Sequence, residues 1–259
     1  MWVRTMTNND VILRLEKFAP TSLAEDWDRA GLMLGSKTCV CKGVVLTLDL
    51  TKKVAEQAVR ENCNLIVTHH PFFFNPISSI DVDEARGELI DYLLKNDITV
   101  YSAHTNLDKC EGGICQTLAK MLDGKNITSD TIGVQFEIEA EKLADFAKRL
   151  ATILNDRTVK VAGNAEKEVK KVYLISGGGA DSFQLNHARE VADVFVTGDI
   201  KHHIYIEAEI CNFPIVEFSH YNSEIIVTDL LFDMLKKEFP KLKLIKANQE
   251  CPFRTLEEL

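Results

Sequence analysis

The sequence predicts an α/β protein of two pseudo-repeated lobes with mainly parallel or mixed sheets, and three observations carry that prediction. Strand-like apolar runs alternate with amphipathic helical stretches: residues 43–49, a helix begun by Thr51, then residues 65–68 form the strand-helix-strand unit of a parallel sheet. The same succession recurs later as residues 172–176, a helix, and residues 194–197, and aligning Thr68 with Thr197 requires a gap of one residue. Each half then ends a third strand in His-x-Asn-x-acid, as His104-Thr-Asn-Leu-Asp108 and His220-Tyr-Asn-Ser-Glu224.

Taken in order, Thr7 to Asp10 reads as a capping box, and Val11, Ile12, Leu15, Phe18 and Ala19 recur at helical spacing until Pro20. Residues 25–35 are turn-rich, with Trp27 read as a packing anchor. After the first strand, Thr51 caps a helix carrying Val54, Ala55, Ala58 and Val59 on one face. The second strand, residues 65–68, delivers His69-His70-Pro71, and Phe72 to Phe74 come next as an apolar wall or interface, or as core. A helix with Leu89, Ile90, Leu93 and Leu94 leads to a strand over residues 98–102, and an amphipathic helix with Ile114, Leu118, Ala119 and Leu122 ends before Gly124.

A lobe boundary is expected near Asn126, giving lobes of residues 1–126 and 127–224, with residues 225–259 packing back on the first. The second half opens on a helix with Leu143, Phe146, Ala147, Leu150 and Leu154, a short strand near Val159, and a charged connector over residues 166–171. Gly177-Gly-Gly179 is a tight strand-to-helix turn; a phosphate cradle is the weaker reading because no Lys-Ser/Thr comes after it. A helix bearing His187 leads to the strand at 194–197, and His202-His203 fall in the first turn of the next helix. A strand over residues 214–218 precedes His220, then a long helix with Ile225, Ile226, Leu230, Met234 and Leu235 stops at Pro240; residues 243–246 are a last strand.

The chain of 259 residues is 46% apolar and 27% charged, ordinary values that indicate neither disorder nor a fibrous repeat. No apolar run approaches the roughly 18 residues of a membrane span, and residues 1–10 do not resemble a secretory signal, so a cytoplasmic protein is expected. A net charge of -9, with scattered acids, argues against non-specific nucleic-acid or anionic-membrane binding. Seven cysteines fit reduced thiols better than a disulfide framework, and Cys39-Val-Cys41 lacks a second pair at zinc-finger spacing.

Six of the seven histidines fall in four short clusters, and the strand ends gather on the carboxyl edge where open α/β proteins collect ligands. If the lobes face each other, His69, His70, His104 and His220 join Asp108 and Glu224. Four imidazoles and two carboxylates suit zinc, iron, manganese or cobalt rather than calcium or magnesium. Six donors exceed the needs of one catalytic zinc, so two divalent metal ions about 3.5–4 Å apart are the better fit. Because neighbours on an extended strand face opposite ways, His69 and His70 are expected to serve different ions. His187 is expected to be structural, and Asp199 and Lys201 could orient a water or anion or form a surface ion pair.

Val67-Thr-His-His-Pro71, Ala103-His-Thr-Asn-Leu-Asp108, Thr197-Gly-Asp-Ile-Lys-His-His203 and Ser219-His-Tyr-Asn-Ser-Glu224, with Glu25-Asp-Trp-Asp28, resemble the Nif-three-like (NGG-one-interacting factor three) family. Its members are often labelled GTP cyclohydrolase 1 type 2 homologues, and the chain resembles the short form that lacks an inserted domain. The resemblance implies two interlinked α/β lobes with a dinuclear metal site between them and a homo-oligomer, commonly a hexameric ring. It implies His70 and Asp108 on one ion, His69 and His220 on the other, and Glu224 bridging, with His104 as proton shuttle or supporting residue. Ala180 departs from the family's glycine turn. The function implied is a dinuclear metal-dependent hydrolase acting on a small molecule such as GTP or another nucleotide, with His104 or His202 relaying protons. The alternative is a non-catalytic metal-binding or regulatory protein for metal handling or protein interaction.

Overall fold

The computed structural model describes residues 5–256, so residues 1–4 of the segment read against a secretory signal, and residues 257–259 of the C-terminal stretch, lie outside the described residues. The chain opens with α1 (Asn8–Phe18), β1 (Gly31–Leu34), β2 (Val44–Thr47), α2 (Lys52–Arg60), β3 (Leu65–Thr68), α3 (Ala85–Lys95), β4 (Thr99–Ser102) and the single turn α4 (Thr105–Lys109). It continues with α5 (Ile114–Met121), β5 (Lys125–Asp130), β6 (Gly133–Lys142), α6 (Leu143–Leu154), β7 (Lys160–Ala162), β8 (Glu168–Leu174), α7 (Ser182–Val191), β9 (Val194–Thr197), α8 (His202–Ile210), β10 (Ile215–Glu217) and α9 (His220–Glu224). It closes with α10 (Val227–Glu238) and β11 (Leu244–Lys246).

These elements form two compact units. The first comprises Met1–Cys110 and Val227–Glu250, the second Glu111–Ile226 and Cys251–Leu259. The first unit thus ends earlier than the boundary expected near Asn126, because α5 and the β5–β6 hairpin pack with the second sheet. The last residues divide as well: α10 and β11 join the first unit, while the stretch from Cys251 joins the second.

In the first unit the sheet order is β1-β4-β3-β2-β11. β11, β2, β3 and β4 are mutually parallel, and β1 adds antiparallel to β4. Val44 to Leu46 and Leu65 to Val67 are fully buried, the continuous apolar pattern of strands covered on both faces. Val54, Ala55 and Ala58 of α2 and Leu93 of α3 pack on Val45, Ile66 and Val100. Each such large aliphatic side chain contributes about 1.5–3 kcal/mol on burial. The Thr51 side chain accepts from Val54 N and starts α2 as the sequence predicts, and Asp10 closes the α1 box by accepting from Thr7 N at 2.8 Å.

The second unit has the order β5-β6-β8-β9-β10-β7. β8, β9 and β10 are parallel, β7 adds antiparallel to β10, and β6 and β5 extend the other edge antiparallel. The repeat therefore reaches further than the two motifs: three parallel strands with one antiparallel strand beside the third occur in both units. Tyr173, Phe195 and Ile215 of this sheet pack under Leu185 and Ala188 of α7 and Ile204 and Ala208 of α8.

Five local expectations need correction. β1 lies in the segment read as turns, and the β5–β6 hairpin precedes the helix expected to open the second half. The charged connector already belongs to β8 from Glu168, where Lys170 and Lys171 are exposed on a strand that β6 still pairs. The long helix after His220 is two helices, and the buried line of α10 is Val227, Leu231 and Leu235, leaving Leu230 and Met234 outside it. On α3, Leu94 faces solvent while Ile90 and Leu93 face the core.

Candidate metal centre

Parallel strands with a common direction place the residues just beyond them on one edge. In the first unit this edge carries Asp49 after β2, His69 and His70 after β3, and His104 and Asp108 after β4. β3 ends at Thr68, and the histidines lie in the bend beyond it. Their amides stay alongside β2's continuation, His69 N donating to Thr47 O (3.1 Å) and His70 N to Leu48 O (3.0 Å), while Thr68 Oγ1 closes the bend on His70 O (2.8 Å). Opposite-face alternation holds only within an extended strand. Here the His69 and His70 ring centroids are 5.2 Å apart, and His104 stands 5.1 Å from His69 and 5.7 Å from His70. The three imidazoles each offer a nitrogen, all within 4.8 Å of one another. The two rings therefore lie side by side rather than on opposite faces, so the pleat is not what would assign them to different ions.

Each ring is oriented through Nδ1. His69 Nδ1 donates to Ala103 O at 2.8 Å, His70 Nδ1 to Asp49 Oδ1 at 2.7 Å and His104 Nδ1 to Asp28 Oδ1 at 2.7 Å. An acceptor on Nδ1 places the lone pair on Nε2, which is how metal-binding histidines are fixed in tautomer and direction. His69 Nε2 lies 3.8 Å from Asp108 Oδ1. With its Nδ1 on the Ala103 carbonyl, the His69 ring turns Nε2 towards Asp108.

The carboxylates that support these rings escape a reading of the sequence. Asp28 is buried and accepts from Thr105 N (3.1 Å) and Thr105 Oγ1 (2.5 Å) besides His104. Burial alone would raise its pKa, but these hydrogen bonds and the imidazole beside it outweigh burial and bring it down to about 2. Asp49 is held by Gln249, whose Nε2 donates to Asp49 Oδ2 (2.9 Å) while its Oε1 accepts from the amides of Leu48 and Asp49. A residue far along the chain thus steadies the partner of His70, a tie no local pattern reveals.

In the second unit the equivalent edge carries Gly177 after β8, Asp199 after β9, and His220 and Glu224 on α9. His220 Nδ1 donates to Asp199 Oδ2 at 2.6 Å, and Nε2 lies 2.8 Å from Glu224 Oε2. Burial, the largest influence, pulls the imidazole's pKa down, yet the hydrogen bonds and charges of Glu224 and Asp199 together lift it to about 9. Asp199 therefore orients a donor rather than forming a surface ion pair with Lys201. Glycine is needed behind this pair: Gly177 has φ +61°, and a Cβ there would lie 2.0 Å from Glu224 Oε1. The glycine turn is the back wall of the His220–Glu224 pair.

His202 and His203 are exposed at the start of α8, and among the described residues no group able to hold a metal includes either. His187 hydrogen-bonds Asp130 Oδ2 at 2.8 Å against Tyr173, a structural contact. All seven cysteines are free thiols, and none joins a metal-competent group among the described residues. Burial pushes the Cys41 thiol up to about 11 and Cys110 up to about 12, so neither is a thiolate at neutral pH.

Nitrogen donors on oriented rings with adjacent carboxylates match zinc, iron, manganese or cobalt, and the donor set fits a metal. A family model, Duf34/NIF3 (NGG1p interacting factor 3), matches residues 6–252. The chain belongs to the Duf34/NIF3 family. Relatives named GTP cyclohydrolase 1 type 2 homolog include one from Clostridium perfringens, 33% identical over 230 residues, covering 85% of this chain and 87% of the relative. Another from Clostridium acetobutylicum is 32% identical over 221 residues, covering 81% and 82%. Among solved structures, a hypothetical protein of Staphylococcus aureus superposes with TM-score 0.88 at 26% identity, over 98% of this chain and all of that one. Reduced HcgD from Methanocaldococcus jannaschii superposes with TM-score 0.84 at 26% identity, over 96% of this chain and all of that one. Among the described residues of this Duf34/NIF3 chain, no helix is long and apolar enough to cross a membrane.

Proposed function

We propose that the chain is a dinuclear metal-dependent hydrolase acting on a small molecule, with a nucleotide such as GTP as the first candidate. The observation that carries this reading is the convergence of His69, His70 and His104, each oriented through Nδ1 by a separate acceptor. Structural histidines have no need of three independent orienting partners around one point; metal ligands and the base that works beside them do. On this reading His69 and Asp108 would hold one ion, His70 and His220 would hold the other, and Glu224 would serve both. This differs from the His70–Asp108 pairing that the family resemblance implies, and what supports it is the 3.8 Å approach of His69 Nε2 to Asp108 Oδ1. Two divalent ions in such a set lower the pKa of a bound water and polarise the bond under attack.

The chain's own residues supply the rest. Asp28 holds the proton on His104 Nδ1, so His104 Nε2 is the base and, once protonated, the acid. Asp28 stays ionised throughout, stabilising the imidazolium that forms. His202, exposed on α8, is left without this role. The names of the relatives and the family resemblance support GTP as a candidate and a homohexameric ring as the working assembly in the cytoplasm.

A turnover screen of the metal-loaded protein against nucleotides, phosphoesters and amides tests the reading, with Glu224→Gln as control. Turnover that falls in Glu224→Gln supports it. Activity unchanged in that variant removes the bridged mechanism, and stoichiometric metal binding with no turnover favours a metal-handling protein.

A further inference from the structure

Trp27, expected to be a packing anchor, is instead 52% exposed, and Phe74 beside it is 47% exposed. Their ring centroids are 5.8 Å apart. Both stand at the edge of His104, each 6.2 Å from its centroid, at 78° for Trp27 and 76° for Phe74. Two large rings left in water on the rim of a polar cluster have a binding surface's composition, whereas core anchors are buried.

The platform is also rigid where it matters. The loop carrying Trp27 is pinned on both sides to α4: Glu25 N donates to Thr105 Oγ1 at 3.0 Å, Lys109 Nζ donates to Glu25 Oε1 at 2.7 Å, and Asp28 accepts from Thr105 N at 3.1 Å. Those ties order the indole's backbone before any ligand arrives, which lowers the entropic cost of binding. The same Asp28 orients His104, so the platform and the proposed base share one support.

We propose that Trp27 and Phe74 stack a planar heteroaromatic ring of the substrate and position it against His104. This rests on the reading of the histidine cluster as a reaction centre, and it assigns these two residues the recognition of the ring. An aromatic face pairs with a flat π-system irrespective of its hydrogen-bonding edge, so the platform selects the ring class and leaves the choice among heterocycles to other groups.

Binding tests this separately from turnover. In a Trp2→Phe background Trp27 is the only tryptophan, and its fluorescence is followed on adding guanosine monophosphate, adenosine monophosphate or ribose 5-phosphate to the zinc-loaded protein. The nucleotides quench and bind more tightly than ribose 5-phosphate; in calorimetry Trp27→Ala weakens them by about 5- to 150-fold, with Trp27→Phe retaining most of the affinity. Unchanged zinc affinity in Trp27→Ala shows that the fold and metal cluster survive. Nucleotides binding no better than ribose 5-phosphate, or equally well to Trp27→Ala, overturn the proposal. So does a change in oligomer size in Trp27→Ala with unaltered nucleotide affinity, which assigns the rings to a subunit contact. Ring-selective binding without bound zinc leaves the platform standing and removes the hydrolase reading.

Discussion

The two units use one backbone plan at the same edge and put different chemistry on it. In the first, the strand that ends in Thr68 continues into His69 and His70; in the second, the strand that ends in Thr197 continues into Gly198 and Asp199. The parallel extends to the supports. Asn106 Nδ2 donates to Ala19 O at the end of α1, and Asn222 Nδ2 donates to Leu154 O at the end of α6. Asp28 accepts from the amide of Thr105 at the start of α4, and Asp156 accepts from the amide of Ser219 at 2.5 Å, just ahead of α9. The first unit thus holds three imidazoles and the second one, and the shared Asn and Asp belong to the frame that positions α4 and α9. The shared Asn106 and Asn222, with Asp28 and Asp156, build the edge; the His-x-Asn-x-acid motif repeated in both units and the histidine pair found only in the first supply the candidate metal donors.

If the first unit's cluster is the stronger metal site, His69→Ala has the largest consequence. Losing a buried ligand lowers zinc affinity by more than about 100-fold, beyond the roughly 10–100-fold cost of removing a residue that only orients a ligand. Competition titration with a chelator reads this directly. An affinity within about tenfold of wild type would place His69 outside the ligand set.

Asp28→Asn separates support from ligation. It loosens His104 and lowers metal-dependent turnover by about 10–100-fold while zinc affinity stays near wild type. The same variant has a pH signature. The Asp28 pKa is depressed, so its ionised form stabilises the fold above the unfolded value near 3.9, and that contribution disappears as pH falls through about 2. Urea unfolding therefore shows wild type more stable than Asp28→Asn at about pH 7, with the gap closing as the pH drops below about 4.

Gly198→His asks whether the second unit could have carried a histidine pair. A Cβ at Gly198 would lie 2.5 Å from Gly177 O and 3.0 Å from Phe218 O, so the backbone must shift. Destabilisation of about 1–3 kcal/mol is expected in urea, as for other overpacked sites, against little change for a surface glycine.

The smallest effect is on the metal-free protein alone. His220 is raised from 6.5 to about 9, so its contribution to stability is full below about 6.5 and is lost as pH climbs through about 9. Asp199→Asn flattens that decline between about pH 7 and 9.5 in thermal melts. An ion taking Nε2 must displace the proton, so zinc binding near about pH 8 releases a proton from this site, measurable by calorimetry in buffers of different ionisation heat.

Much of this was legible in the sequence because the strands stand out as apolar runs that break off at polar, metal-competent residues. The runs that became β2, β3, β8 and β9 carry those apolar segments, and Thr51 announces α2 by its cap. Less visible were the edges. β5 is largely exposed and polar, so its composition matches a loop, and β1 is four residues long beside turn-forming Gly31 and Gly35. The ligand candidates His69, His70, Asp108, His220 and Glu224 were readable because histidine is rare here and clusters at strand ends. Asp49, Asp28 and Gln249 were not, since their role depends on which ring lies above them in three dimensions. The ring directions also needed the structure: the pleat rule fails at His69 because β3 has already ended.

The central claim is that the chain holds two ions and that His220 is among their ligands. Elemental analysis of the purified, metal-loaded protein and of His220→Ala tests it most directly. Two ions per chain, falling to one or fewer in His220→Ala, is the predicted result. A single ion per chain that is retained at full occupancy in His220→Ala would contradict it, and would show that the first unit's histidines bind their metal alone.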